Sequence, residues 1–184
     1  MQIYDELAGK RRPPHRWMLF AAIFLTFLFV TSVQGNSIGD KEKHDRVIAM
    51  YNEYKKNYPD VEDISAEAAL PLLNDSDVVF VDVRSSQEQK VSMIPGAVTK
   101  ENFSRNIEQY RDKQIIAYCT VSYRSGKFAE KMNKQGISVT NLQAGLLGWV
   151  HAHGPLASDN EPVNVLHVYG RAWELTPSWI SAVY

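Results

Sequence analysis

The chain predicts an α/β fold: a central, mainly parallel sheet flanked by helices and preceded by one hydrophobic N-terminal helix. Three observations carry this expectation. Two short apolar runs rich in β-branched residues, Val78–Val83 and Ile115–Tyr118, have the pattern of strands covered on both faces. Segments with helical spacing of apolar residues alternate with such runs, which is the order that builds parallel sheets. The 184 residues, 45% hydrophobic and 22% charged, suffice for one ordinary globular domain plus extensions.

Charge and cysteine content narrow the function. The formal net charge is −1 and no basic stripe is present, so nucleic acid is not an expected partner. A single cysteine excludes an intramolecular disulfide framework. Any thiol chemistry must therefore draw its second thiol from outside the chain.

The N-terminal part, residues 1–35, reads as a basic flank followed by a membrane or export segment. Trp17–Val33 is a 17-residue run without charge, preceded by Lys10, Arg11, Arg12, His15 and Arg16. It fits a single membrane anchor near the lower length limit, or a signal peptide cleaved after Gly35. The basic flank belongs on the cytoplasmic side, which places the remaining chain beyond the membrane. Residues 36–60 then read as a polar linker and a helix. The helix runs from Asp45 to Tyr58, with Val47, Ile48, Met50, Tyr51 and Tyr54 at helical spacing and Pro59 as its stop.

A compact domain is expected over 61–157. Ser65 is a candidate N-cap for a helix through Leu70, and Leu70, Leu72 and Leu73 face a core. The Val78–Val83 strand is followed by a short helix over Arg84–Val91. Ile94-Pro95-Gly96-Ala97 is a turn leading into another short strand. Phe103–Tyr110 suggests a helix before the Ile115 strand. A helix over Gly126–Gln135 is ended by Gly136, Ser138–Leu142 is expected to be the last strand, and Gly145–Val150 a short helix carrying Trp149. The extension, 158–184, is rich in aromatics (Tyr169, Trp173, Trp179, Tyr184), so it is expected to dock on the domain rather than remain disordered.

The candidate site is the loop after the Ile115 strand. The only cysteine, Cys119, ends the apolar run; Arg124 and Ser125 follow, and then the amphipathic helix. Loop N–H groups and a helix N-terminus make an anion-friendly cradle, and the same field favours a thiolate, the nucleophilic form. The alternative is a structural cysteine at a strand end. Asp82 and Arg84 fall at the end of another predicted strand, where ligands of parallel sheets gather. His151-Ala152-His153 lacks a carboxylate or thiol at ligand spacing, so no metal is expected, and no nucleotide or dinucleotide fingerprint is present.

Four of these stretches, in order, resemble the signatures of rhodanese-like (sulfurtransferase superfamily) domains. Val81-Asp82-Val83-Arg84 resembles the family's strand-end D-V-R element, and Ile94-Pro95-Gly96-Ala97 its I-P-G-A turn. Cys119-Thr120-Val121-Ser122-Tyr123-Arg124-Ser125 resembles the C-x-x-G-x-R-S active loop. Gln143-Ala144-Gly145-Leu146-Leu147-Gly148-Trp149 resembles the closing segment. The resemblance covers roughly Ile64–Leu156. Two departures stand out: Ser122 replaces the loop glycine, where a positive φ would strain a serine, and Ser92-Met93 replaces a Gly-His pair.

The resemblance implies sulfur transfer without a cofactor. Cys119 would take a sulfane sulfur from a small donor of the thiosulfate or thiol-persulfide type. It would then pass the sulfur as a persulfide to a thiol or cyanide-like acceptor. Thr120, Val121, Ser122, Tyr123, Arg124 and Ser125 would bind substrate, with Ser122 and Tyr123 shaping the pocket mouth. Arg124 either faces an anionic donor or ties the loop to Asp82 or a loop carbonyl. Asp82 and Arg84 read as support. A non-catalytic binding or redox- or sulfide-sensing module is the rival reading. A cysteine phosphatase is disfavoured, because four residues separate Cys119 from Arg124 where that chemistry uses five.

Overall fold

The computed structural model describes residues 38–184, which form one compact unit. The anchor or signal segment expected at 17–33 lies outside the described residues. Among the described residues, no helix is long and apolar enough to cross a membrane.

Helix α1 spans Asp40–Lys55, starting five residues before the sequence expectation. The cause is a long-range contact: the Asp40 carboxylate accepts hydrogen bonds from Ser178 N (2.9 Å) and Ser178 Oγ (2.7 Å) in the C-terminal segment. Strand β1 is Asp63–Ile64, so Ile64 belongs to the sheet rather than to the helix after it. Helix α2, Ala66–Ala69, is capped by Ser65, whose hydroxyl accepts from Ala68 N, and a 3₁₀ turn over Leu70–Leu72 follows. Strand β2 is Val78–Asp82, and helix α3 is Ser86–Val91. A reciprocal capping box starts α3: Glu88 N donates to Ser85 Oγ, and Ser85 N donates to the Glu88 carboxylate.

Strand β3, Val98–Thr99, and helix α4, Lys100–Arg105, come next. The single helix expected over Phe103–Tyr110 is two pieces, α4 and a 3₁₀ turn at Ile107–Tyr110. The break is at Asn106, whose carboxamide donates to Asn102 O at 3.1 Å and competes with helix continuation. Strand β4 is Gln114–Tyr118, helix α5 is Tyr123–Asn133, strand β5 is Val139–Leu142 and helix α6 is Gly145–His151. Helix α5 begins three residues before the expected Gly126, because Gly126 N closes the first turn onto Ser122 O at 2.8 Å.

The main sheet has the order β1-β5-β4-β2-β3 and every pairing in it is parallel. Its central strands are buried on both faces, which explains why β2 and β4 read as continuous apolar runs. Phe80, Ile116, Leu142, Leu146 and Trp149 lie in the core on one side; Val81, Ile115, Ala117 and Val139 lie in the core on the other.

Strand β5 is the last of this sheet but not the last of the chain. Four short strands follow: β6 (Ala157–Ser158), β7 (Glu161–Pro162), β8 (Val165–His167) and β9 (Ser181–Val183). Strands β6 and β7 form a hairpin, and β8 pairs in parallel with β9. Leu166, Val168, Leu175 and Ile180 enter the same core cluster as Trp149, so the aromatic-rich extension is packed on the domain. Tyr169 and Trp173 sit between these strands and lean toward the end of β4, where Cys119 lies.

Candidate active site

Cys119 follows β4 directly and is 2% exposed. Its carbonyl and that of Thr120 are held from the far side by α6, through Leu146 N (2.8 Å) and Leu147 N (3.0 Å). This clamp explains the glycine of the closing segment. Gly145 has φ +56, and a Cβ there would fall 2.4 Å from the Cys119 carbonyl oxygen. Only glycine permits that approach.

The loop itself turns at Ser122. Its φ of 77 and ψ of −19 place a serine in the left-handed region, as the missing glycine foretold. The sequence reading put Ser122 at the pocket mouth. Instead its side chain points inward, is fully buried, and donates from Oγ to Leu142 O at 2.7 Å. That bond offsets part of the strain that a non-glycine residue meets here, about 1–2 kcal/mol. Among the described residues, the N–H groups of Thr120 through Ser125 have no protein acceptor, leaving six successive free donors in the loop that follows the thiol.

Ser125, at the start of α5, is fully buried behind the sulfur. Its Oγ lies 3.6 Å from Cys119 Sγ and 2.6 Å from Asn141 Oδ1. Asn141 Nδ2 in turn donates to Asp63 Oδ1 at 2.5 Å, and Asp63 is paired with Lys55. The carboxylate fixes the amide with its oxygen toward Ser125, so the serine hydroxyl has a defined partner beside the thiol.

Arg124 pairs with neither Asp82 nor a loop carbonyl. Its guanidinium makes a two-pronged ion pair with Glu88, Nη1 to Oε2 at 2.8 Å and Nη2 to Oε1 at 2.7 Å, and Nη2 also donates to Thr120 Oγ1 at 3.1 Å. Burial alone would favour a neutral Glu88, but bonds from Arg124 and from Ser85 N and Oγ hold it ionised, with its pKa lowered to about 2. Glu88 was missed as a site residue. Its capping-box spacing after Ser85 was visible, but its reach to a residue 36 positions away was not.

Asp82 and Arg84 form a buried pair of their own. Arg84 Nη2 donates to Asp82 Oδ2 at 2.7 Å and to Ser92 O at 2.5 Å. Neither reaches the cleft; they brace the end of β2 against the turn before Ile94. His151 Nε2 contacts Leu175 O at 2.8 Å and His153 stacks on Trp179. No cluster of metal-ligating side chains occurs among the described residues.

Above the thiol opens a cleft of about 400 Å³. Its floor is Cys119, Thr120 and Val121, and Arg124 lies at one side. Two aromatic pairs form walls: Tyr54 with Tyr123, centroids 5.4 Å apart, and Tyr169 with Trp173, 5.2 Å apart. Of these rings only Tyr123 was expected at the site. Tyr54, Tyr169 and Trp173 come from α1 and the extension, and no spacing signal links them to the loop. Their aromatic character was the one available hint.

Comparison with known proteins agrees with this geometry. The family model described as "Rhodanese-like domain" matches residues 65–152. The tRNA uridine(34) hydroxylase of Buchnera aphidicola is 30% identical over 90 residues, which covers 44% of this chain and 29% of that protein. Its counterpart from Acholeplasma laidlawii is 32% identical over 91 residues, covering 45% and 28%. The matched part thus spans less than a third of those curated relatives. Among solved structures, the thiosulfate sulfurtransferase of Pseudomonas aeruginosa superposes with a TM-score of 0.53 at 24% identity, over 62% of this chain and 23% of that one, a likeness of fold. The strand-end cysteine, the loop of free amides and the family match converge on one assignment: residues 65–152 are a rhodanese-like domain.

Proposed function

We propose that this protein is a sulfurtransferase that carries sulfane sulfur on Cys119. The observation that supports this most is the position of the thiol. It lines an open cleft, with Ser125 Oγ at 3.6 Å, and it begins a loop whose amides, Thr120–Ser125, have no protein acceptor among the described residues. The thiolate attacks the outer sulfur of a donor, forming the Cys119 S–S bond while the donor's own S–S bond breaks. The negative charge then resides on the terminal persulfide sulfur, where the loop amides can solvate it. An acceptor thiolate attacks that outer sulfur and regenerates the Cys119 thiolate. Thr120, Val121 and Tyr123 contact substrate at the floor and mouth. Arg124 holds the loop through Glu88, and Ser122 and Ser125 act from behind, by backbone donors and by the hydroxyl beside the sulfur.

The short loop supports sulfur over phosphate: its four residues between Cys119 and Arg124 leave a tight cradle, and the arginine is committed to Glu88. The tRNA-modifying role in the names of the curated relatives finds no support in the near-neutral composition of this chain. The basic flank and apolar run at 17–33 support a domain placed beyond the membrane, either anchored or released after Gly35. A reporter fused to the C-terminus that reads out cytoplasmic placement would overturn that topology.

The test of activity uses the full chain in detergent micelles. Incubation with sulfane donors should add one sulfur atom to the wild-type mass and none to Cys119→Ser. Loading of neither protein by any donor, or equal loading of both, rejects sulfur transfer.

A further inference from the structure

Three of the four aromatic rings that line the cleft come from outside residues 65–152. Tyr54 stands on α1, and Tyr169 and Trp173 on the segment between β8 and β9. These rings enclose the approach to a thiol that is otherwise buried. The volume, about 400 Å³, lies within the ~300–1,000 Å³ of sites for organic ligands and far exceeds the needs of a small inorganic oxyanion.

Charge points the same way. Arg124 is the one charged side chain lining the cleft among the described residues, and both of its terminal nitrogens are engaged by Glu88. Arg124 also faces Cys119, but its charge is offset by the buried Glu88 behind it, so a dianion entering the cleft meets a neutralised cation rather than a free one. The loop amides of Thr120–Ser125, which have no protein acceptor among the described residues, remain to hold an anionic head. Arg124 also lies 6.0 Å from the centroid of the Tyr169 ring, which fixes this aromatic wall against the ion pair.

We propose that the cleft takes an organic sulfane-sulfur donor with one anionic head and an aromatic or similarly apolar body, in preference to the thiosulfate dianion. The proposal rests on the sulfur-transfer reading above. For an arylthiosulfonate the step balances simply. The Cys119 thiolate attacks the terminal sulfur of R–SO₂–S⁻, the S–S bond of the donor breaks, and its electron pair leaves with the arylsulfinate, R–SO₂⁻. Cys119 is left as the persulfide anion. The body R occupies the space between the Tyr54–Tyr123 and Tyr169–Trp173 walls.

Three donors separate body from charge: benzenethiosulfonate, methanethiosulfonate and thiosulfate. Rates of sulfur loading onto Cys119 are followed by intact mass on the full chain in micelles. Each is normalised to the donor's rate with a small free thiol. Burying a phenyl ring between aromatic walls should favour benzenethiosulfonate over methanethiosulfonate by about tenfold or more. Thiosulfate should be the slowest of the three. Tyr169→Ala, at a residue 68% exposed and so safe for folding, and Trp173→Leu should each cut the phenyl-to-methyl preference at least about threefold. Equal normalised rates for the phenyl and methyl donors overturn the proposal, as does a preference for thiosulfate or a preference untouched by both substitutions. In those cases Cys119 is still loaded and sulfur transfer stands. Loading by none of the three rejects both.

Discussion

The Glu88–Arg124 pair offers the most quantitative prediction. Glu88→Gln keeps the shape of the side chain and removes its charge. Glu88 is 4% exposed, and its pKa falls from the ordinary 4.5 to about 2. At ~1.4 kcal/mol per pKa unit, that lowering corresponds to about 3 kcal/mol of stability from ionised Glu88 at neutral pH. The sign follows from the direction. Because the folded-state pKa is depressed, the contribution is complete above about pH 4.5 and is lost as pH falls toward about 2, half of it gone near pH 3. Urea unfolding followed by circular dichroism, on wild type and Glu88→Gln between pH 7 and pH 2.5, reads both effects. The variant should be less stable by about 2–3 kcal/mol at pH 7, and the gap should shrink as the medium is acidified. A difference below about 0.5 kcal/mol at pH 7, or a gap constant with pH, would show that the pair does not hold Glu88 ionised in the folded state.

Ser122 in the loop and Gly145 at the start of α6 give further tests by the same unfolding assay. Ser122→Ala keeps the strained φ of 77 and loses the hydroxyl bond to Leu142 O, so it should cost about 1–2 kcal/mol. Ser122→Gly loses the same bond but relieves the strain, so it should be more stable than the alanine variant by about 1 kcal/mol; the reverse order refutes the strain argument. Gly145→Ala places a Cβ against the Cys119 carbonyl at a φ of +56 and should lose more than about 2 kcal/mol, together with slower sulfur loading of Cys119; wild-type values for both would show that α6 does not clamp the loop.

What could be read from residue order was local chemistry. The central strands announced themselves because burial on both faces demands unbroken apolar runs such as Val79–Val81 and Ile115–Ala117. Ser65 marked a helix start because its cap is made within three residues. The strain at Ser122 was foreseen because a turn needing positive φ carries no glycine there. What escaped notice depends on contacts distant in sequence. Glu88 meets Arg124 only once α3 and α5 lie at the same end of the sheet, and the early start of α1 depends on Ser178, 138 residues away. Asn141 and Asp63 meet only because β5 and β1 are parallel neighbours. The walls of the cleft are the extreme case. Tyr123 was expected at the mouth, but Tyr54, Tyr169 and Trp173 arrive from α1 and the extension, segments whose aromatics read equally well as core.

Whether Cys119 carries sulfur can be read from a single mass measurement. The full chain, in micelles, is treated with benzenethiosulfonate, freed of excess donor, and weighed intact before and after addition of a small thiol. A sulfur-carrying Cys119 gives one added sulfur atom on the wild type, its removal by the thiol with release of a persulfide, and no addition to Cys119→Ser. A wild-type mass that never changes, or an equal gain on Cys119→Ser, contradicts it.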